Sequence, residues 1–92
     1  MVKIVELTTP TCSVCKMIAP MVEKTIAELP SDKVSYFNVN ALEGQGKLLA
    51  DKHGVRSVPV FFFLNDANEV TYRHDGAITP AIIRDKVNAM LG

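Results

Sequence analysis

The stretch Thr9–Pro20, TPTCSVCKMIAP, contains both cysteines of this 92-residue chain. Cys12 and Cys15 are separated by two residues, and a lysine follows the second cysteine directly. An apolar, strand-like segment precedes the stretch, and an apolar pattern of helical spacing follows it. The cysteines therefore lie at a predicted strand-to-helix junction. They could form a redox couple, half of a metal site or a pair of unreactive thiols.

The composition is that of a compact single domain covering residues 1–92, and we expect a monomer. The chain is 48% hydrophobic, and ten basic and ten acidic residues balance to a net charge of zero, unlike the basic surface of a nucleic-acid-binding protein. No apolar run approaches the roughly 18 residues of a membrane helix. The N-terminus does not have the pattern of a signal peptide, so we expect a cytoplasmic protein without nucleic-acid or membrane partners.

Four segments rich in β-branched and aromatic residues are predicted strands. They are Val2–Leu7, Lys33–Val39, Val58–Leu64 and Val70–His74. The third, VPVFFFL, is the most apolar and is expected near the centre of the sheet. In the second, Val34, Phe37 and Val39 are the expected core residues.

Three segments with apolar residues at three- and four-residue spacing are predicted helices. They cover Ser13 to about Leu29, Glu43–His53, and the end of the chain from Pro80. Pro20 is expected to kink the first helix rather than end it, and Thr79 is a typical N-cap for the third. The order is β-α-β-α-β-β-α, with a parallel first pair of strands and a final hairpin. This predicts an α/β fold with a four-stranded mixed sheet and three helices.

The position of the cysteines favours redox chemistry. Cys12 begins the first helix, where unpaired backbone N–H groups and the helix dipole favour a thiolate, the nucleophilic form of cysteine. Cys15 lies one turn further along, close enough to reach back and resolve a mixed disulfide on Cys12. A disulfide that closes such a short loop would add little stability, so a structural role is the weaker interpretation.

Two alternatives stay open from the residues alone. A C-x2-C pair is also half of a zinc site, but a structural zinc needs four ligands. The remaining candidates, His53 and His74, do not show ligand spacing to each other, so we expect no metal. The second alternative is that the thiols are chemically idle.

The whole chain resembles the thioredoxin superfamily. The resemblance rests on the strand–CxxC–helix opening, on Pro20 five residues after Cys15, on HGVRSVPVFFF at His53–Phe63 and on EVTYRHDGAITPAIIRDKV at Glu69–Val87. It implies a thioredoxin-like fold. It also implies a thiol–disulfide oxidoreductase that reduces protein disulfides without a metal or organic cofactor.

The resemblance also implies a peptide-binding groove beside the cysteines. Its expected residues are Thr11, Val58, Pro59 and Gly76. Pro59 would follow a cis bond and face the disulfide, and a substrate peptide would pair with Val58 like an added strand. The alternative is that Pro59 merely begins an edge strand. Thr11 stands where the family usually has tryptophan.

Glu6 lies six positions before Cys12, where the resemblance places a buried acidic residue of thioredoxins. A buried carboxyl has a raised pKa and can relay a proton to or from the inner thiol. The family's lysine partner of this acid is replaced here by Tyr36. The alternative is a Glu6 side chain that faces solvent.

The expected partners are disulfide-containing client proteins and an electron donor, either a thioredoxin-reductase-type flavoenzyme or glutathione. Ser13-Val14 replaces the usual Gly-Pro between the cysteines, and HDGAITP lacks the glutathione-binding signature of glutaredoxins. Two further functions stay open: a glutathione-coupled reductase and a non-catalytic module that binds peptides.

Overall fold

The structure, a computed structural model, describes residues Met1–Gly92. Its elements are β1 (Val2–Thr8), α1 (Ser13–Ala27), β2 (Val34–Asn40), α2 (Gly44–Lys52), β3 (Val60–Leu64), β4 (Val70–Asp75) and α3 (Pro80–Leu91). The predicted element order is confirmed, and α1 continues through Pro20. No helix is both long and apolar enough to cross a membrane.

The four strands form one mixed sheet in the order β2-β1-β3-β4. β1 is parallel to β2, and β3 is antiparallel to both β1 and β4. β3 is therefore a central strand, as predicted, although it begins at Val60 rather than at Val58. Because Pro59 precedes a central strand, it does not begin an edge strand.

Helices cover both faces of the sheet, and β3 is buried on both. Its three consecutive phenylalanines have no accessible surface. Phe61 and Phe63 pack in a cluster with apolar residues of α1 and α3, whereas Phe62 packs in a second cluster with Ala50 of α2. Alternate side chains of a strand point to opposite faces. Burial of each such ring contributes roughly 1.5–3 kcal/mol.

The prediction that Phe37 is a core residue is wrong. Val34 is buried and Val39 is half-buried, but Phe37 is 49% exposed. Phe37 and Val39 lie on the same face of β2, because they are two residues apart. Val39 packs in the cluster under α2, whereas Phe37, on the edge strand β2, is not part of that cluster.

The helix α2 approaches the end of β2 so closely that it requires a glycine. A Cβ atom at Gly46 would clash with the backbone carbonyl oxygen of Asn40. Gly46 is buried, and its neighbour Gln45 is exposed. The glycine-rich first turn of α2 therefore serves packing between helix and sheet.

We expect Gly46→Ala to lower the free energy of unfolding by about 1–3 kcal/mol, the usual cost of overpacking. In an exposed helix the same change would stabilise by roughly 0.5–1 kcal/mol. Urea unfolding measures the difference, with Gln45→Ala as the control in the same turn. An alanine variant as stable as the wild type would contradict the close contact.

Candidate functional site

Cys12 lies at the N-terminus of α1, as the sequence predicts. β1 ends at Thr8, and a turn follows in which the Cys12 N–H donates to the Thr9 carbonyl at 3.2 Å. Cys12 is the N-cap residue of α1, with extended backbone angles. Its sulfur accepts a hydrogen bond from the Cys15 N–H at 3.1 Å. The sulfur therefore takes the capping role that a serine or aspartate oxygen usually has.

The two cysteines differ in their access to solvent. They are joined by a disulfide, with their Cα atoms 5.3 Å apart. Cys15 is 5% exposed and belongs to the buried face of α1, whereas Cys12 is partly exposed. An incoming sulfur can therefore reach Cys12 more readily than Cys15.

The segment before β3 lies beside this disulfide. The Val58–Pro59 peptide bond is cis, and the Val58 carbonyl oxygen is 3.9 Å from the Cys12 Sγ. The Gly76 N–H donates to the Pro59 carbonyl at 2.8 Å, and Gly76 has a φ of +93°, which favours glycine. The structure thus places Val58 next to Cys12 and joins Gly76 to Pro59, the residue that follows Val58. Thr11 is exposed in the turn before the cysteine.

A pocket adjoining this segment was not found from the sequence. It has a volume of about 270 Å³ and lies between α2 and the residues before Pro59. Thr9 and Val58, which both contact Cys12, belong to its lining, as do Leu42 and Arg56. Arg56 is exposed. No sequence pattern indicated the pocket, because its walls come from three separate parts of the chain.

Glu6 is buried in the sheet face that packs against α1, so its solvent-facing alternative is wrong. The residue is 1% exposed, and its strand alternation places it on the same face as Val2 and Ile4. The Tyr36 hydroxyl donates to Glu6 Oε1. Burial raises the pKa of Glu6, the Tyr36 hydrogen bond opposes this effect, and the negative charge of Glu23 raises the pKa further.

The two histidines have structural contacts elsewhere. The His53 ring packs against Phe62 with 4.9 Å between the centroids, and His74 Nε2 lies 2.9 Å from the Ala77 carbonyl oxygen. No group of three or more histidine, cysteine, aspartate or glutamate side chains is arranged to hold a metal ion. The zinc alternative therefore lacks a ligand set.

The chain that carries this CxxC pair, at a helix N-terminus beside a Val-Pro segment, matches the model of a known family. The family model for thioredoxin matches residues 1–89. The chain belongs to the thioredoxin family. Its similarity to that family covers every element from β1 to most of α3.

Individual relatives are also thioredoxins. The chain is 34% identical to thioredoxin 1 of Synechococcus elongatus over 67 residues, 73% of this chain and 60% of that protein. It is 38% identical to Bacillus subtilis thioredoxin over 61 residues, 66% of this chain and 56% of that protein. A chloroplastic M-type thioredoxin of Spinacia oleracea is 30% identical over 88 residues, 95% of this chain but 46% of that protein. The chain thus spans about half the length of these relatives.

Solved thioredoxin structures share the fold. Fasciola hepatica thioredoxin superimposes with a TM-score of 0.79 at 27% identity, over 97% of this chain and 80% of that one. A point mutant of Halobacterium salinarum thioredoxin gives a TM-score of 0.82 at 24% identity, over 99% of this chain and 75% of that one. The latter similarity concerns the fold alone. The predicted thioredoxin-like fold is confirmed.

After reduction, we expect limiting iodoacetamide at neutral pH to label Cys12 before Cys15, because Cys15 is buried and Cys12 is not. Peptide mapping by mass spectrometry gives the ratio of the two products. Urea-unfolded protein is the control and should lose the preference. Equal labelling of the folded protein would contradict the difference in access.

Glu6→Gln should stabilise the protein at neutral pH and leave its stability in acid nearly unchanged. Burial raises the folded pKa of Glu6, so the unfolded chain gives up this proton first as the pH rises. The wild-type protein therefore loses stability as the pH rises from the Glu6 pKa of the unfolded chain to the Glu6 pKa of the folded protein. Each tenfold difference in proton affinity between the two states is worth about 1.4 kcal/mol.

Urea unfolding measures this effect at two pH values: about pH 4, slightly below the ordinary pKa of glutamate, and about pH 8, well above it. Glu28→Gln is the control, because Glu28 is exposed near the end of α1. If Glu6→Gln changed stability equally at both pH values, the effect would not come from the titration of Glu6.

Proposed function

We propose that this protein reduces disulfides of client proteins through the Cys12–Cys15 dithiol. One observation carries the proposal: in a chain of the thioredoxin family, a disulfide with one accessible and one buried sulfur lies at a helix N-terminus beside the Val58–Pro59 segment. Thiol–disulfide exchange needs an accessible attacking thiolate and a second thiol within reach. Both requirements are met by these two side chains.

The reaction proceeds in two exchanges. The Cys12 thiolate attacks one sulfur of the client disulfide, forms a mixed disulfide and releases the other client sulfur as a thiolate, which takes a proton from water. The Cys15 thiol then gives its proton to a base, and its thiolate attacks the Cys12 sulfur. This step releases the second client thiolate, which is also protonated. The client gains two electrons and two protons, and the Cys12–Cys15 disulfide forms.

Glu6 is the proposed base for the second exchange. The buried face of α1 includes Cys15, and it packs on the sheet face that contains Glu6. A buried carboxyl with a raised pKa is suited to accept and return a proton near neutral pH. Sulfur and carboxyl chemistry suffice for this cycle, so no metal or organic cofactor takes part in it.

The client peptide is proposed to bind along Thr11, Val58, Pro59 and Gly76. Val58 and Pro59 are consecutive, and Gly76 is hydrogen-bonded to Pro59. The Val58 carbonyl in turn lies near the Cys12 sulfur. An extended peptide in this position would pair with Val58 like an added strand. A client side chain next to the reacting cysteine would then enter the pocket lined by Leu42 and Arg56.

The dithiol is regenerated by a two-electron donor. We propose a thioredoxin-reductase-type flavoenzyme, with glutathione as the alternative, and a cytoplasmic location. The similarity to thioredoxins of Synechococcus elongatus and Bacillus subtilis supports the first donor. A coupled assay with glutathione and glutathione reductase separates the two donors, because turnover in that assay requires the protein to accept electrons from glutathione.

The assay for the proposed activity is insulin-disulfide reduction with dithiothreitol. Wild-type protein should accelerate it, and Cys12→Ser should abolish the acceleration because the attacking sulfur is lost. Cys15→Ser should instead accumulate a covalent adduct with the client, visible by non-reducing electrophoresis. If wild-type protein binds clients without accelerating their reduction, the chain is a peptide-binding module and the proposed activity is wrong.

A further inference from the structure

The buried carboxyl of Glu6 has a polar partner on the neighbouring strand. In the parallel pairing of β1 and β2, Glu6 is opposite Asn38, and Tyr36 is two residues earlier on the same face. The Tyr36 hydroxyl donates to Glu6. The Asn38 amide donates to the same hydroxyl at 3.4 Å, and the Thr8 hydroxyl donates to Asn38 Oδ1 at 2.7 Å. These contacts orient the hydroxyl of Tyr36 toward the carboxyl.

No cation takes part in this arrangement. Among the titratable groups that act on Glu6, α1 supplies Glu23, which is negative, and β2 supplies Tyr36, whose hydroxyl is a neutral donor. On β3, the residue opposite Glu6 is Phe61, and Lys86, a cation of α3, lies over the Tyr72 ring. Glu6 forms no salt bridge. The Tyr36 hydroxyl is thus the one group that favours the charged form of Glu6.

We propose that Tyr36 is a positioning residue that sets the lowest pH at which Glu6 can accept the proton of Cys15. This inference rests on the proposed function. The Tyr36 hydroxyl, a neutral donor, stabilises the Glu6 carboxylate by a hydrogen bond, whereas burial disfavours the charged carboxylate. Without the hydroxyl, Glu6 would keep its proton to higher pH, and the Cys15 thiol would lack its base at neutral pH.

The first experiment measures insulin reduction from about pH 6 to about pH 9, on both sides of the near-neutral pH at which a catalytic base is most effective. Tyr36→Phe should shift the acid limb of the rate profile to higher pH, with a several-fold loss at neutral pH that recovers in alkali. Tyr72→Phe is the matched control. Its hydroxyl is 3.3 Å from His74 Nδ1 on β4, so its loss should leave the profile unchanged.

The Glu6→Gln background separates positioning from a structural role. In that background Tyr36→Phe should not move the acid limb, because there is no carboxyl to titrate. An equal shift with and without Glu6, or no shift in the single variant, would overturn the proposal.

A second measurement keeps the test independent of activity and of the folding of Tyr36→Phe. With carbon-13-labelled glutamate, NMR gives the titration midpoint of the Glu6 carboxyl directly. 3-Fluorotyrosine incorporated into Tyr72→Phe protein alters Tyr36 alone and makes its hydroxyl a stronger donor, so the midpoint should fall, whereas Tyr36→Phe should raise it. An unchanged midpoint in the fluorinated protein overturns the proposal. Failure of the wild type to reduce insulin overturns the proposed function, while the midpoint still decides the role of Tyr36.

Discussion

The arrangement of the whole chain depends on the burial of β3 on both faces. Three consecutive phenylalanines without accessible surface require cover from both sides. α1 and α3 supply it on one face and α2 on the other. Because β3 must also satisfy its backbone groups on both edges, it lies between β1 and β4. The position of the site follows from this placement.

Strand register, more than any side-chain contact, assembles the candidate site. Leu7 at the end of β1 pairs with Val60 at the start of β3, since these strands are antiparallel. The turn that leads to Cys12 therefore lies beside Val58 and Pro59. Val60 also pairs with Asp75 at the end of β4, which places Gly76 beside Pro59. Segments that are distant in sequence thus meet at one end of the two central strands.

The elements could be predicted from the sequence because each has a local pattern. The apolar spacing of α1, the VPVFFFL run and the Thr79-Pro80 helix start each indicate one element without information about the rest of the chain. The position of Cys12 at a helix start could be predicted for the same reason. The central place of β3 also followed, because only a strand covered on both faces is so uniformly apolar.

Tertiary contacts decided what the sequence left open. In β1 both faces are apolar enough that alternation could not tell whether Glu6 faces α1 or solvent. The exposure of Phe37 depends on the place of β2 at the edge of the sheet, and the need for Gly46 depends on the backbone of Asn40. The pocket beside Val58 has walls from three segments. None of these features has a local pattern in the chain.

The capping contact of α1 links the fold to the proposed chemistry. The Cys15 N–H donates to the Cys12 sulfur while the two are joined as a disulfide. A thiolate at the same position would accept this hydrogen bond more strongly, because charge-assisted hydrogen bonds are stronger than neutral ones. The donor belongs to the backbone of the first helical turn, which is held by packing of α1 against the sheet. The helix start can therefore stabilise the developing charge on Cys12 without rearranging, and preorganised donors of this kind lower the barrier for reactions in which charge develops.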